Sequence, residues 1–293
     1  MNSKRPAQKE WPFARSLIHR RSILLGSLAA ASGLLSYPPK AASQSGVESV
    51  KAAIAEFEQS PELSIPNFGM REFAENFPSL QLERAPARTA PSELPISDLS
   101  KKLIVAFEIS SEAIYKQRYQ QPTWPGGMSG VTIGIGYDVG YVKPEELRAD
   151  WAGLINEKDL NALSQTCGAT NTAAKEMIAS LSGVAIPWAE ANKEFEGELK
   201  KYVGMTLKAL PNFAALSEHC RGALVSLVYN RGPSFDAPGD RYNEMRNIRA
   251  HMVLKNFSKI PEEIRKMERL WPDVRGLIKR REAEANLFEA GLS

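Results

Sequence analysis

The chain has 293 residues, with 37 Lys and Arg against 34 Asp and Glu, 43% hydrophobic residues and two cysteines. This hydrophobic content and small net charge exclude a chain that is disordered throughout. Two cysteines exclude a disulfide-rich scaffold and a cysteine-rich zinc module. Residues 1–43 carry a net charge of +6 and the remainder a net charge of −3. The basic surplus therefore belongs to the N-terminus, which argues against nucleic-acid binding, since that needs clustered cations in the folded domain.

The first 43 residues have the features of an export signal. Arg20 and Arg21 precede the apolar run SILLGSLAAASGLL, which is too short to span the roughly 30 Å of a bilayer core but fits the core of a signal peptide. Small residues at positions 41–43 offer a cleavage site after Ser43. The string HRRSILL also resembles a bacterial twin-arginine export signal. We therefore expect a periplasmic or extracellular protein that meets a membrane only through this leader, if the leader is not removed.

Residues 44–100 are predicted to form either an acidic, proline-rich linker or a strap that folds against the next domain. Six prolines between positions 61 and 95 exclude long helices and central strands, although VESVKAAIAEFEQ can form one short helix. The net charge of −5 over this segment favours the solvated linker. The strap would use three aromatic side chains, Phe68, Phe73 and Phe77.

From residue 101 to residue 293 the pattern predicts one folded domain of the α+β class. The apolar spacing in KKLIVAFEISSEAIYKQRY predicts a first helix. Prolines and glycines over residues 122–130 predict an irregular excursion, and VTIGIGY predicts a short strand or hairpin. Everything after Pro144 is predicted to be helical. The segment RGALVSLVYN is apolar nearly all round, so it is expected to be the buried central helix.

Glu108 is the first candidate for chemistry because it ends the apolar run LIVAFE. A carboxyl group at the end of an apolar helix is partly desolvated, which raises its pKa towards the value that a general acid needs. On a continuous helix, Tyr115 lies two turns further on and shares the face of Glu108. Thr132 offers a hydroxyl that can position a water. The residues alone leave open whether Glu108 is catalytic or is a structural, ion-paired glutamate.

No cofactor or metal is expected. The segment TIGIGYDVG has Val139 where the dinucleotide fingerprint has its third glycine, and no helix opens at once. The three histidines are scattered along the sequence, which is not a metal-ligand pattern. Cys167 and Cys220 either form a disulfide in an oxidising compartment or remain free, buried thiols.

Three motifs resemble, in the same order, those of the phage-type lysozymes, glycoside hydrolase family 24. They are FE…Y…TIGIG, RGALVSLVYNRG and GLIKRREAEANLF. The resemblance covers about residues 101–293. It implies a lysozyme-like fold, with a small β-hairpin lobe and a mostly helical lobe, and a muramidase that cuts the glycan strands of peptidoglycan. By this resemblance Glu108 would be the general acid and Thr132 would help to hold the attacking water, while Tyr115, Asn230 and Arg231 would line the cleft.

The chain departs from the family pattern at the second acid. Gln117 stands where the family has an Asp, and Tyr137 replaces the His that ends the strand motif; both are expected to contact the substrate. Asp138 is the nearest carboxylate and is expected to supply the second catalytic charge, with Gln117 in a positioning role; Asp138 reaches the site only if the chain turns back. The alternatives are catalysis by Glu108 alone, as in a lytic transglycosylase, and a module that binds glycan without cutting it. A structural ion-pair set is expected from Arg280, Arg281 and Glu284. The oligomeric state is left open.

Overall fold

The computed structural model describes residues 44–65 and 90–293, which fall within one compact unit of the chain. The predicted leader and the three phenylalanines of the predicted strap lie outside these residues. The described part is mostly helical and carries a small two-stranded antiparallel sheet. This architecture is compatible with the predicted α+β class.

The described residues form ten helices of seven residues or more and two short strands. The helices, in chain order, are α1 (Gln44–Gln59), α2 (Asp98–Ile109), α3 (Pro144–Trp151), α4 (Glu157–Ser164), α5 (Asn171–Met177), α6 (Trp188–Ala209), α7 (Glu218–Arg231), α8 (Asn243–Leu254), α9 (Ile260–Lys266) and α10 (Arg275–Leu292). The strands are β1 (Thr132–Ile133) and β2 (Tyr137–Asp138). The prediction that the chain is helical after Pro144 is confirmed.

Helix α7 is the central helix of the fold, as predicted. Ser217 caps its first turn by accepting a hydrogen bond from the backbone N–H of Cys220, and the helix ends before Gly232, whose φ of +72° suits glycine. Its residues from Cys220 to Val228 are buried, and the helix packs against α2, α6 and α10. At Gly222 an added Cβ would lie 2.2 Å from the side chain of Ser100, so glycine allows α2 and α7 to pack this closely.

Helix α1 belongs to the same core. It packs against α2 and α10, and Val50 and Phe57 on its inner face are buried. Glu56 forms an ion pair with Lys279 of α10, with 2.7 Å between oxygen and nitrogen. The described N-terminal helix of residues 44–100 is thus packed against the helices that follow it.

The continuous helix predicted over KKLIVAFEISSEAIYKQRY is wrong, because the chain breaks at two consecutive serines. Helix α2 ends at Ile109, and Ser110 has a φ of +70°. The Ser111 side chain then accepts a hydrogen bond from the N–H of Ile114, capping a single helical turn that is followed by a π-helical turn over Tyr115–Tyr119. Serine side chains compete with helical hydrogen bonds in this way. Tyr115 therefore does not lie on the helix face that carries Glu108.

The Gly-rich motif forms the predicted hairpin. Thr132 lies opposite Asp138, and Ile133 lies opposite Tyr137. The turn between the strands contains Gly134 at a φ of +57°, where a side chain would also collide with the ring of Trp151. The chain therefore does turn back, and it brings Asp138 beside Thr132.

Both cysteines are free thiols in this structure, so the disulfide left open by the sequence is absent. Cys220 is buried, and its Sγ donates to the carbonyl oxygen of Phe288 at 3.2 Å. Burial raises the pKa of the Cys167 and Cys220 thiols to about 11 each, so both are protonated at neutral pH.

None of the helices formed by residues 44–65 and 90–293 combines the length and the apolar character needed to cross a membrane.

Candidate active site

Glu108 lies in the last turn of α2 and is buried, with 1% of its surface exposed. The Nη1 of Arg280 donates to its Oε1 at 2.8 Å. The same guanidinium lies 4.7 Å from the centre of the Phe107 ring. The burial of Glu108 that was predicted is thus observed. Its partner is Arg280, which the sequence analysis had grouped only with Arg281 and Glu284. A buried carboxylate needs a positively charged or hydrogen-bonding partner. This rule predicts a basic residue near Glu108 but does not identify it.

The predicted ion-pair set is present and continues directly from Glu108. Arg280 Nε lies 3.1 Å from an oxygen of Glu284, and Arg281 Nη2 lies 3.1 Å from its other oxygen. The hydroxyl of Ser226 on α7 donates to Glu284 at 2.6 Å. These groups are buried, so the set joins α7 to α10 beneath Glu108.

Asn230 is held by this network. Its Oδ1 accepts a hydrogen bond from Nη2 of Arg281 at 2.9 Å, and its side chain is 1% exposed. The neighbouring Arg231 is half-buried, with its guanidinium 4.9 Å from the ring of Trp271 and its Nη2 donating to the carbonyl of Arg241. Of these two predicted cleft residues, Arg231 is the one with exposed surface.

Tyr229 connects the central helix α7 to the hairpin and to Tyr202 of α6. The hydroxyl of Tyr229 on α7 donates to the carbonyl of Ile135 in the hairpin turn at 2.9 Å, and its ring lies 4.5 Å from that of Tyr202 on α6. Burial raises the pKa of both tyrosines, and the negative charge of Glu108 contributes to each increase. Both are therefore neutral at physiological pH, and both lie close enough to sense Glu108.

Asp138 uses its carboxylate to hold two backbone segments together. Its Oδ1 accepts hydrogen bonds from the N–H of Gly130 at 3.0 Å and the N–H of Gly140 at 2.9 Å. Burial raises the pKa of Asp138 to about 7, although both hydrogen bonds favour the charged form. Opposite it, Thr132 is 5% exposed, and its backbone pairs with Thr123. These contacts favour a structural role for Asp138.

We expect Asp138→Ala to lower stability, and Asp138→Asn to leave both stability and turnover nearly unchanged. Alanine leaves two buried N–H groups without their acceptor, at about 1–3 kcal/mol each. Asparagine keeps an oxygen at the Oδ1 position, which accepts both bonds. Melting temperature and rate, measured on the same samples, separate the two roles. A loss of several orders of magnitude in the rate of a normally stable Asp138→Asn protein would establish a catalytic carboxylate instead.

The two other predicted tyrosine contacts are buried inside the protein. The Tyr115 hydroxyl donates to the carbonyl of Ile186 at 2.8 Å, and the Tyr137 hydroxyl donates to Asp150 at 2.8 Å. Burial raises the pKa of each hydroxyl. Both hydroxyl groups are therefore engaged in hydrogen bonds inside the protein. Gln117 lies on the π-helical turn and is exposed, so it is accessible.

Glu194 on α6 is a buried carboxyl group that the sequence analysis missed. It is 5% exposed, and its Oε1 has no hydrogen-bond partner among the described residues. Burial raises its pKa well above 4.5; the charges of Glu198 and Asp150 add to this shift, and Lys201 opposes it. Its place within a helix of mixed polarity gave no signal in the sequence that it would be buried.

Glu194→Gln is expected to stabilise the protein at neutral pH. The folded wild type keeps a proton that the unfolded chain loses above about pH 4.5, so its stability falls as the pH rises beyond that value. Glutamine carries no such proton. The variant should therefore melt higher than wild type at pH 7, and the difference should disappear near pH 4. Glu176→Gln, at an exposed position on α5, is the control. A pH-independent difference at position 194 would contradict this explanation.

Within residues 44–65 and 90–293, no group of three or more His, Cys, Asp or Glu side chains is arranged to hold a metal ion.

No protein-family model matches the chain, and no curated protein matches it either. The resemblance therefore rests on three short motifs, which meet in one buried network. Glu108 of the first motif contacts Arg280 of the third, and the second contributes Ser226 and Asn230.

Proposed function

We propose that this protein cuts the glycan strands of peptidoglycan, with Glu108 as the general acid. The observation that carries the proposal is the burial of Glu108 at the end of α2, within a network that joins all three lysozyme-like motifs and borders the hairpin through Tyr229. A general acid protonates the glycosidic oxygen as the bond to the sugar breaks. Such help typically accelerates a reaction by about 10²–10⁴.

The surroundings of Glu108 suit a group that gives up and regains a proton in each turnover. Burial favours the neutral acid, and the guanidinium of Arg280 favours the carboxylate. Tyr202 and Tyr229 stay protonated, so they add no negative charge near the acid.

In this proposal the fold is lysozyme-like, and the hairpin forms the smaller wall of the cleft. Thr132 would help to position a water at the sugar, while Gln117 and Arg231 offer accessible polar groups for the substrate. The hairpin turn is fixed to α7 by the hydrogen bond from Tyr229 to Ile135, which keeps the wall in a defined place relative to Glu108.

A lytic transglycosylase is the second candidate, and the hydrogen bonds of Asp138 favour it. A two-carboxylate hydrolase needs a second acid about 5–9.5 Å from the first. Asp138 already uses its carboxylate to hold two backbone N–H groups in the fold, which favours a structural role over the activation of a water. With Glu108 alone, Glu108 gives its proton to the leaving oxygen as the glycosidic bond breaks. The resulting carboxylate then takes the proton of a hydroxyl of the same sugar as that hydroxyl bonds to the anomeric carbon, and the product is an anhydro sugar.

Mass spectrometry of purified peptidoglycan after digestion tests the proposal. Reducing ends identify a hydrolase, and 1,6-anhydro ends identify a transglycosylase. If neither product is formed, the proposed activity is overturned, and a glycan-binding module remains. Glu108→Gln protein, purified in parallel, controls for contaminating enzymes.

We further propose that the leader is removed on export. Cleavage after Ser43 would produce a chain that starts at Gln44, the first residue of α1. N-terminal sequencing of the exported protein should therefore begin near Gln44. Recovery of protein with an intact Met1 from the membrane fraction would indicate an uncleaved anchor instead.

A further inference from the structure

The segment of residues 44–65, which comprises α1 and the chain that follows it, contacts the backbone just before Glu108. The hydroxyl of Ser64 donates to the carbonyl of Ala106 at 2.7 Å. The N–H of Ile65 donates to the carbonyl of Phe107 at 3.0 Å. Carbonyls in the last turn of a helix lack partners within the helix, and the N–H of Ile65 supplies one to Phe107. The Ser64 hydroxyl adds a second hydrogen bond to the carbonyl of Ala106, which also accepts from the N–H of Ser110 at 3.0 Å.

The same segment also holds the chain just after Glu108. Ser110 has a φ of +70° and a ψ of −69°, and the N–H of Ser111 donates to the carbonyl of Ile109 at 2.9 Å. These values define a γ-turn of the rare, strained kind, which persists only where the surroundings enforce it. The hydroxyl of Ser110 donates to the carbonyl of Phe57 at 2.7 Å, in a buried position.

A stack of side chains links α1 to the cation that binds Glu108. The ring of Phe57 meets the ring of Phe107 edge-on, with 4.9 Å between their centres. Phe107 in turn carries the guanidinium of Arg280 at 4.7 Å. The position of Arg280, and hence of its bond to Glu108, therefore depends on the aromatic contact made by α1.

Helix α10, which carries Arg280, fits closely against this segment. At Gly276 an added Cβ would lie 2.1 Å from the carbonyl oxygen of Leu63. Three residues later, Lys279 forms its ion pair with Glu56. The segment is thus fixed to both partners of the Glu108–Arg280 pair, to α2 by hydrogen bonds and to α10 by close packing and charge.

We infer that residues 44–65 hold Glu108 in its reactive position, with Ser110 and Phe57 as positioning residues. This inference rests on the function proposed above. It assigns the segment between the leader and the lysozyme-like domain to the active site, as a support for the acid on the side of the molecule formed by α1, α2 and α10.

Ser110→Ala and Ser110→Gly test the inference in the full chain. Both remove the hydroxyl, and glycine also relieves the strain of a positive φ, so at least one of them should fold well. On soluble, uncrosslinked glycan strands, both should lower kcat at least tenfold and leave KM within twofold of wild type. Thr166→Val is the matched control, because Thr166 is also buried and its hydroxyl donates to a backbone carbonyl, that of Leu163, at 2.8 Å.

A second measurement does not depend on activity. In protein labelled with ¹³C at the glutamate carboxyl carbons, the resonance of Glu108 is identified by its loss in Glu108→Gln. It should move in both Ser110 variants and stay in place in Thr166→Val. An unmoved resonance, or a normal kcat in a Ser110 variant that merely melts earlier, would overturn the inference. Wild-type protein that releases no product would overturn the proposed function, while a moved resonance would still show that Ser110 positions Glu108.

Discussion

Glu108→Gln is expected to lower glycan cleavage by about 10²–10⁴ while the protein stays folded. Glutamine has the same size, and its side-chain oxygen can still accept the hydrogen bond from Arg280, but it cannot donate the proton that the leaving oxygen needs. The bond keeps its charged donor and loses the charge of its acceptor, so the loss of stability should stay below about 1.5–3 kcal/mol, the usual value of the whole bond. The rates must therefore be compared well below the melting temperature of the variant.

The control for this experiment is Glu244→Gln. Glu244 is also a buried glutamate paired with an arginine, since it is 2% exposed and lies 2.5 Å from Arg269. Because Arg269 is 40% exposed, water replaces part of its interaction with Glu244, so Glu244→Gln should lose less stability than Glu108→Gln. Only Glu108→Gln should lose activity. Product release by Glu108→Gln within tenfold of the wild-type rate would remove Glu108 from the mechanism.

Arg280→Gln is expected to lower the free energy of unfolding by about 3–5 kcal/mol, the usual cost of removing one partner from a buried ion pair. Arg280 is 2% exposed and contacts two buried carboxylates, Glu108 and Glu284. It also donates to the carbonyl of Ser226 at 3.1 Å. Glutamine supplies no positive charge and is too short to reach all three acceptors. Equilibrium unfolding in urea measures the loss.

Arg265→Gln separates the effect of burial from the number of contacts. Arg265 pairs with Glu282 at 2.9 Å and with Glu289 at 2.7 Å, but its side chain is 32% exposed. Water solvates the charges of such an exposed pair almost as well as the partner does. The free energy of unfolding should therefore fall by only about 0–1 kcal/mol. Equal losses in the two variants would mean that burial around Arg280 does not decide its contribution.

The helical elements were largely predictable because their periodicity is local. RGALVSLVYN is apolar on every side, and only a central position in the fold can bury all of it. The hairpin was predictable from β-branched residues between glycines. The break after Ile109 was not, because LIVAFEISSEAIY keeps helical spacing on both sides of Ser110. The helix ends there because Ser110 and Ser111 use their side chains for hydrogen bonds outside it. The hydroxyl of Ser110 donates to the carbonyl of Phe57, which lies far away in the sequence.

The candidate site was predictable residue by residue but not as an arrangement. Glu108 and the set of Arg280, Arg281 and Glu284 were identified from two separate motifs, and their contact depends on how α2 meets α10. Asp138 shows the opposite case. Its nearness to the strand motif suggested catalysis. In the structure it lies opposite Thr132, and its Oδ1 accepts hydrogen bonds from the N–H groups of Gly130 and Gly140. Spacing along the chain cannot show which groups a buried carboxylate will meet.

The pairing of α1 and α10 affects the order in which this chain can fold. Glu56 and Lys279 are 223 positions apart, and Glu108 and Arg280 are 172 positions apart. Contacts between such distant residues form slowly, and neither can form until the ribosome has made almost the whole chain. During synthesis, α1 lacks the packing surface that α10 provides. We therefore expect nascent and C-terminally shortened chains to lack an assembled site, so that a wall-cutting activity would arise only after translation is nearly complete.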